Sequence, residues 1–314
     1  MTKEFKDNKN TATKEGRLKE VLPCSIGIFI HNEVQNIGKL LDALLNQNLR
    51  IARIEEIIVV SSASTDGSDE LVTEYSEKNP IIKLIQESER RGKSAAINTF
   101  IELAQKDIAV IISGDVIPAE NTIERLVAPY LDEKVGMVGC HPVPTDKENN
   151  FVGYWVNVQW RLHHKIALQS PKMGEMVSFR KVMDGIPPES AVDEASIEAI
   201  IRAKGLELKY APDAIVYNKG ADTIKDFMKQ RRRIAAGHLW LKKTETYNVS
   251  TNNPSFLLKP LLTEMVTHPL KIHYMVAIIL LEAWSRYLGW YDLVIKKKNP
   301  FKWDISTSTK KVDI

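Results

Sequence analysis

Residues 57–67 read IIVVSSASTDG: a run of branched apolar side chains, Ile57 to Val60, breaks into a polar loop that closes on Asp66 and Gly67. Apolar residues at both odd and even positions suit a strand covered on both faces, as in the centre of a parallel sheet. Ser25–Ile30 and Ile108–Ile112 have the same character. Between these runs the period becomes helical: Ile37, Leu40, Leu41, Leu44 and Leu45 share one face, as do Ile97, Phe100, Ile101 and Ala104. Such alternation predicts an α/β fold, a mixed, mainly parallel sheet with helices on both faces. Asn121 with Glu124 predicts a helix start with a capping box.

After Val135–Gly139 the pattern changes. A long helix is expected at about 150–169, a strand at Glu175–Arg180, and a helix from about 193 to 204. Leu206–Asn218 reads as a strand pair or one bent strand, and 223–243 as a basic helix. Lys225, Lys229, Arg231, Arg232, Arg233, Lys242 and Lys243 face only Asp226 there, a local +6.

The 314 residues are 44% hydrophobic, enough for a sizeable core, which excludes disorder over the whole length. Basic and acidic residues nearly balance, 43 against 40, so net charge gives no reason to expect nucleic acid as a partner. Two cysteines, Cys24 and Cys140, make no disulfide framework and fit a reducing, cytoplasmic compartment. Residues 1–20 are polar, carry no signal-like apolar stretch and read as a solvated tail.

In an open α/β sheet, ligands bind at the carboxyl ends of strands. Polar clusters follow four successive strands here: His31–Glu33, Ser61–Gly67, Arg90–Lys93 and Ser113–Asp115. Each alone reads equally well as a turn, a cap or a solvated charge run. Their succession is what points to a site.

In this order the clusters resemble the family-2 inverting glycosyltransferases of GT-A fold, over about residues 24–240. Asn32–Glu33 with Asn36–Ile37, Ser64–Thr65–Asp66–Gly67, and Arg91–Gly92–Lys93 with Ala96–Ile97–Asn98 match the family's motifs in sequence. The resemblance implies a Rossmann-like nucleotide-binding fold and a nucleoside diphosphate sugar donor, UDP- or GDP-linked. Asn32, Glu33, Ser61, Asp66, Arg91, Lys93, Ser113 and Asp115 would bind it. The family's Asp-x-Asp motif is reduced to Ser113–Gly114–Asp115, leaving Asp115 as the metal ligand for Mg²⁺ or Mn²⁺. One carboxylate with phosphate oxygens and waters can still satisfy such a hard cation. Ser61–Ser62 stand where the family often carries acids that contact the base.

The resemblance also implies a general base at Asp193 or Glu194, an acidic pair opening a helix, with Asp193 ranked slightly ahead. Two acids in a first helical turn are also simply favoured by the helix dipole. Gly174 and Glu175 are expected beneath the acceptor. Gln230–Ile234, QRRRI, resembles a Gln-x-x-Arg-Trp signature with Ile234 replacing the Trp, so Gln230 and Arg233 would manage diphosphate and acceptor. His163, His164 and His238 have no carboxylate at zinc-ligand spacing and are read as packing or acceptor-contact residues.

The segment Pro269–Ile295 mixes Tyr274, Trp284, Tyr287, Trp290 and Tyr291 with aliphatic residues and runs into Lys296–Lys298. Glu282, Arg286 and Asp292 interrupt it before the roughly 20 residues a bilayer span needs. It reads either as a helix in the headgroup layer or as one packed on the domain or on a second subunit, which leaves an oligomer open. The expected organisation is a tail (1–20), a GT-A domain (21–245), a helical extension (246–298) and a basic tail (299–314). Together these features predict a transferase in glycan biosynthesis, peripheral to the cytoplasmic face of a membrane. It would pass a sugar with inversion to a hydroxyl of a lipid, lipid-linked glycan or envelope polysaccharide. The alternative is a catalytically silent relative that binds nucleotide sugar or glycan as a scaffold.

Overall fold

A computed structural model describes residues 21–245, 247, 254–298 and 312 of the chain. The expected tail at 1–20 and most of that at 299–314 lie outside the described residues. Val312 is the exception: its amide donates to Asn36 Oδ1 at 3.1 Å and its carbonyl accepts from Lys39 Nζ at 2.7 Å.

The amino half alternates as its periods demand: β1 (Leu22–Ile30), α1 (Ile37–Leu45), β2 (Ala52–Ser62), α2 (Ser68–Lys78), β3 (Ile82–Glu87), α3 (Lys93–Leu103) and β4 (Ile108–Ser113). The short β5 (Val116–Pro118), α4 (Thr122–Val127) and β6 (Val135–Pro144) follow. The remainder contains α5 (Phe151–Ala167), β7 (Met176–Arg180), α6 (Asp193–Ala203), β8 (Glu207–Asn218), α7 (Ile224–Thr244), α8 (Pro254–Thr267) and α9 (Ile272–Trp290).

The strands form one sheet in the order β3-β2-β1-β4-β7-β6-β8-β5. Strands β3, β2, β1 and β4 run parallel, β7 enters antiparallel between β4 and β6, and β6 pairs parallel with β8. Alternation along each central strand feeds two cores. Ile26, Ile28, Ile57, Val59, Val110 and Ile112 pack under α1 and α4. Phe29, Ile58, Val60, Ala109 and Ile111 pack under α3 and α6. Within the stretch expected as a strand pair or one bent strand, Glu207–Asn218 forms the single strand β8, whose pairing with β6 slips between Gly139 and His141.

A third core holds the carboxyl-terminal helices. Trp155 and Val158 of α5 meet Phe227 of α7 with Met275 and Ile278 of α9. Helix α9 crosses α7 at Gly289, where a Cβ would come within 2.7 Å of the Arg232 carbonyl oxygen, so no larger residue fits that crossing. The segment from Pro269 is therefore packed on the domain, yet Val276, Leu280, Trp284 and Tyr287 on its other side are exposed.

The capping box at Asn121 does not form: Asn121 makes no side-chain cap bond. Glu124 instead accepts from the backbone N–H groups of Arg50, Ile51 and Ala52, at 3.0–3.2 Å. Three amides at the entry to β2 offer the carboxylate more than the one N–H a capping box would supply.

Candidate active site

Two left-handed residues bend the chain out of the sheet at its carboxyl edge: Asn32 after β1 (φ 58°) and Ala63 after β2 (φ 52°). The loops they start are tied together. Asn32 Oδ1 accepts from the Thr65 amide at 2.8 Å, and the Asn32 amide donates to Ser64 Oγ at 3.1 Å. Asp66 accepts from the Val34 amide at 3.1 Å and from Ser68 Oγ at 2.5 Å. Burial opposes its charge, but these donors outweigh burial and hold its carboxyl below the ordinary range. Ser61 Oγ donates to Ser64 Oγ at 2.9 Å, and Arg91 turns to Glu87 at 2.5 Å. Asn32, Ser61, Asp66 and Arg91 thus build the loops and stand outside the wall of the cavity they support.

That cavity, about 1170 Å³, is walled by Glu33, Lys93, Ser113, Asp115, Gly174, Glu175, Asp193, Glu194, Gln230 and Arg233 among the residues expected from sequence. His31, Ser62 and Arg90 join them at the strand ends. Glu33 Oε2 accepts from Asn36 Nδ2 at 3.0 Å, which aims the acid over the end of β4. Gly114 allows that approach: a Cβ there would lie 2.6 Å from Ile30 Cγ2 and 3.1 Å from Glu33 Cγ.

Helices α3 and α6 meet end to end across the cavity. Lys93 opens α3, where a cation is disfavoured by the helix dipole, and its Nζ lies 2.6 Å from Asp193 Oδ2 and 3.3 Å from Glu194 Oε1. Burial works against this ammonium, yet the two carboxylates prevail and hold it above the ordinary lysine range. The approach is pinned from behind. Ser94 Oγ donates to the Ser190 carbonyl at 2.8 Å, and Asn98 bonds both the carbonyl and the amide of Ile186 at 2.9 and 2.8 Å. The Asn of the Ala-x-Asn pattern therefore anchors the loop that delivers Asp193.

Glu175 also adopts the left-handed region (φ 49°), and the Met176 amide closes a tight turn onto the Gly174 carbonyl at 2.6 Å. Such a turn is strained for a residue with a side chain. It sets the Glu175 carboxylate within 3.2 Å of Asn218 Nδ2 and into the field of Asp115. Burial, then the charges of Asp115 and Glu194, push its carboxyl up to about 7. Behind it, a Cβ on Gly174 would lie 3.2 Å from His163 Nε2, and the buried His163 packs there while it also lines the cavity.

On α7 the arginines divide. Arg232 faces away and pairs through two nitrogens with Asp292. Gln230, Arg231 and Arg233 face the cavity, and Arg233 Nε is buried with no hydrogen-bond partner among the described residues. Lys172, His238 and Arg286 complete this wall. No sequence pattern marks them, because three separate segments bring them together.

No His, Cys, Asp and Glu set of three or more among the described residues is arranged to hold a metal by itself. Asp115, with Glu175 in its field, would offer hard oxygen donors to a Mg²⁺ or Mn²⁺ whose remaining positions would be filled by phosphate oxygens and water.

The family model described as Glycosyl transferase family 2 matches residues 25–198. The chain is 23% identical over 240 residues to the probable glycosyltransferase YdaM of Bacillus subtilis, covering 71% of this chain and 57% of that protein. It is 23% identical over 196 residues to the poly-beta-1,6-N-acetyl-D-glucosamine synthase of Staphylococcus aureus, 58% of this chain and 47% of that one. The chain spans about half the length of the curated relatives it matches. Among solved structures, the mannosyltransferase PcManGT from Pyrobaculum calidifontis, in complex with GDP-Man and Mn²⁺, is similar with a TM-score of 0.57 at 22% identity. That similarity covers 87% of this chain and 74% of the other, and it bears out the expected GT-A architecture with its carboxyl-terminal helices. The family match takes in every strand end that walls the cavity and runs through Asp193 and Glu194, and on it the chain belongs to glycosyl transferase family 2.

Proposed function

We propose that the cavity transfers a glycosyl group, with inversion, from a UDP- or GDP-linked sugar to a hydroxyl of a lipid, lipid-linked glycan or envelope polysaccharide. The observation that carries this reading is the pairing of Lys93 with Asp193 and Glu194 on the wall of the cavity that also holds Asp115 and Arg233. Asp193 receives the acceptor's hydroxyl proton, the freed oxygen bonds to the anomeric carbon, and the bond from that carbon to the donor diphosphate breaks. Lys93 Nζ holds Asp193 Oδ2 in place at 2.6 Å before the acceptor arrives. A carboxylate within hydrogen-bond reach of the hydroxyl suffices for this work. The diphosphate departs onto Arg233 and the Lys93 ammonium, whose fixed charges oppose that build-up of negative charge. A Mg²⁺ or Mn²⁺ held at Asp115 would supply further positive charge to the same group. Glu33, Ser113 and Arg90 line the nucleotide side; Gly174, Glu175 and Gln230 line the acceptor side.

No helix among the described residues is long and apolar enough to cross a membrane. The exposed apolar side of α8 and α9, with Leu258, Leu262, Leu280 and Trp284, supports peripheral contact with one.

The single carboxylate left in the Ser113–Gly114–Asp115 segment favours one rival, a nucleotide-sugar-binding scaffold without turnover. Release of nucleoside diphosphate from a panel of UDP-, GDP- and dTDP-sugars, with Mn²⁺, Mg²⁺ or chelator, decides between them. Turnover of one donor establishes the transferase; tight binding with no turnover in the presence of lipid acceptors establishes the scaffold.

A further inference from the structure

The charged groups of the cavity fall into two neighbourhoods. The first is acidic: Glu175 feels Asp115, Glu194 and Lys93. The second is basic: Lys172, from the connection between α5 and β7, feels Arg231 of α7 and Arg286 of α9. Lys172 and Arg286 have no hydrogen-bond or ion-pair partner among the described residues, while Arg231 pairs with Glu282 at 2.7 Å. Burial, then Arg231 and Arg286, lower the Lys172 ammonium to about 7. The nearby His238 is driven down to about 3 by burial, then by Lys172 and the same two arginines. Of the carboxylates in reach, Glu282 is committed to Arg231 and Glu198 to the Tyr247 hydroxyl. Lys172, Arg231 and Arg286 thus converge on one stretch of the cavity wall where basic groups outnumber the carboxylates in reach, and an anion entering there would favour the charged form of Lys172.

Beside this cluster the wall turns apolar. Leu257 and Leu261 of α8 and Ile278, Ile279 and Ala283 of α9 line the cavity. They continue outward into the exposed Leu258, Leu262 and Leu280.

We propose that Lys172, Arg231 and Arg286 form an acceptor subsite for the phosphoryl group of a hydroxyl-bearing lipid whose acyl or prenyl chain lies along α8 and α9. The proposal rests on the transferase reading and names its acceptor class. The phosphoryl group is an anchor, not the nucleophile: it holds the head while a hydroxyl beyond it reaches Asp193.

Equilibrium binding to the full chain, followed by the fluorescence of the cavity tryptophans Trp155, Trp160 and Trp290, tests this with three related probes. Lysophosphatidylglycerol in neutral detergent carries phosphate, hydroxyls and chain; monoacylglycerol lacks the phosphate; glycerol phosphate lacks the chain. Lysophosphatidylglycerol is expected to bind most tightly. Lys172→Met and Arg286→Met should each weaken it roughly ten- to hundredfold, the loss of one charge-assisted contact. Lys172→Met should also raise the melting temperature of the unliganded chain, which relief of crowded charge produces and loss of a structural contact does not. Equal affinity for monoacylglycerol, or no effect of either substitution, overturns the phosphoryl subsite. Glycerol phosphate binding as tightly as the lipid overturns the lipid part and leaves a soluble phosphate acceptor. If the substitutions instead weaken nucleoside diphosphate sugar binding without acceptor present, the cluster belongs to the donor and the proposal fails. Absence of any donor binding, with lysophosphatidylglycerol still bound, would sink the transferase reading alone.

Discussion

Lys93 Nζ sits 2.6 Å from Asp193 Oδ2, joining the first residue of α3 to the first residue of α6. The contact fixes where both side chains stand on the cavity wall. Asp193→Asn should lower kcat roughly 10²–10⁴-fold, the range for loss of a general base, and leave the donor Kd within a few-fold. Glu194→Gln should cost far less. The reverse order, read from nucleoside diphosphate release with acceptor present, would assign the base to Glu194.

Removing metal from the native chain with a chelator should reduce turnover roughly tenfold or more, and Mn²⁺ or Mg²⁺ should restore it. Asp115→Asn should lose that restoration. A variant that responds to metal as the native chain does would take Asp115 out of the metal site.

Glu56 is buried at the start of the sheet, where it accepts from Ser25 Oγ and the Gln105 amide, each at 2.7 Å, and from Lys83 Nζ at 3.0 Å. Burial opposes its charge, but the Gln105, Ser25 and Lys83 donors together hold its carboxyl below the ordinary 4.5. Its contribution is therefore complete above pH 4.5 and is lost as pH falls through the depressed value. Glu56→Ala should cost about 3 kcal/mol at pH 7 by denaturant unfolding, and the gap to the native chain should shrink on acidification below pH 4.5.

Gly289→Val should push α9 away from α7, since even a Cβ there approaches the Arg232 carbonyl oxygen to 2.7 Å. A cost of about 1–3 kcal/mol is expected from overpacking. Hydrogen exchange should show α9 opening more readily in the variant while the strands of the sheet keep their protection.

The sheet was legible where burial on both faces leaves a continuous apolar run, as at Ile57–Val60 and Ile108–Ile112. Strand β5, three residues long, has too little sequence to carry a period. The insertion of β7 between β4 and β6 is a matter of long-range pairing that no local pattern encodes. In the site, motif spacing led to the loops that surround the cavity, and their side chains then divide by where they point. Lys93, Asp115, Asp193 and Arg233 face the cavity, whereas Asn32 and Asp66 spend their oxygens holding one loop to the next. Lys172 and Arg286 were invisible because their meaning comes only from each other. They stand 114 positions apart in a chain that carries 43 basic residues.

The pairing of Arg232 with Asp292 fixes how α7 is rotated about its own axis. Successive helical residues point about 100° apart, so three adjacent guanidiniums of identical chemistry are sorted into different jobs by angle alone. Inserting or deleting one residue upstream in α7 would preserve composition, charge and helicity, yet would swing a scaffold arginine into the cavity and a cavity arginine into the packing against α9. The QRRRI run is read by the fold as a set of compass bearings, and its meaning survives substitution better than it survives a shift of frame.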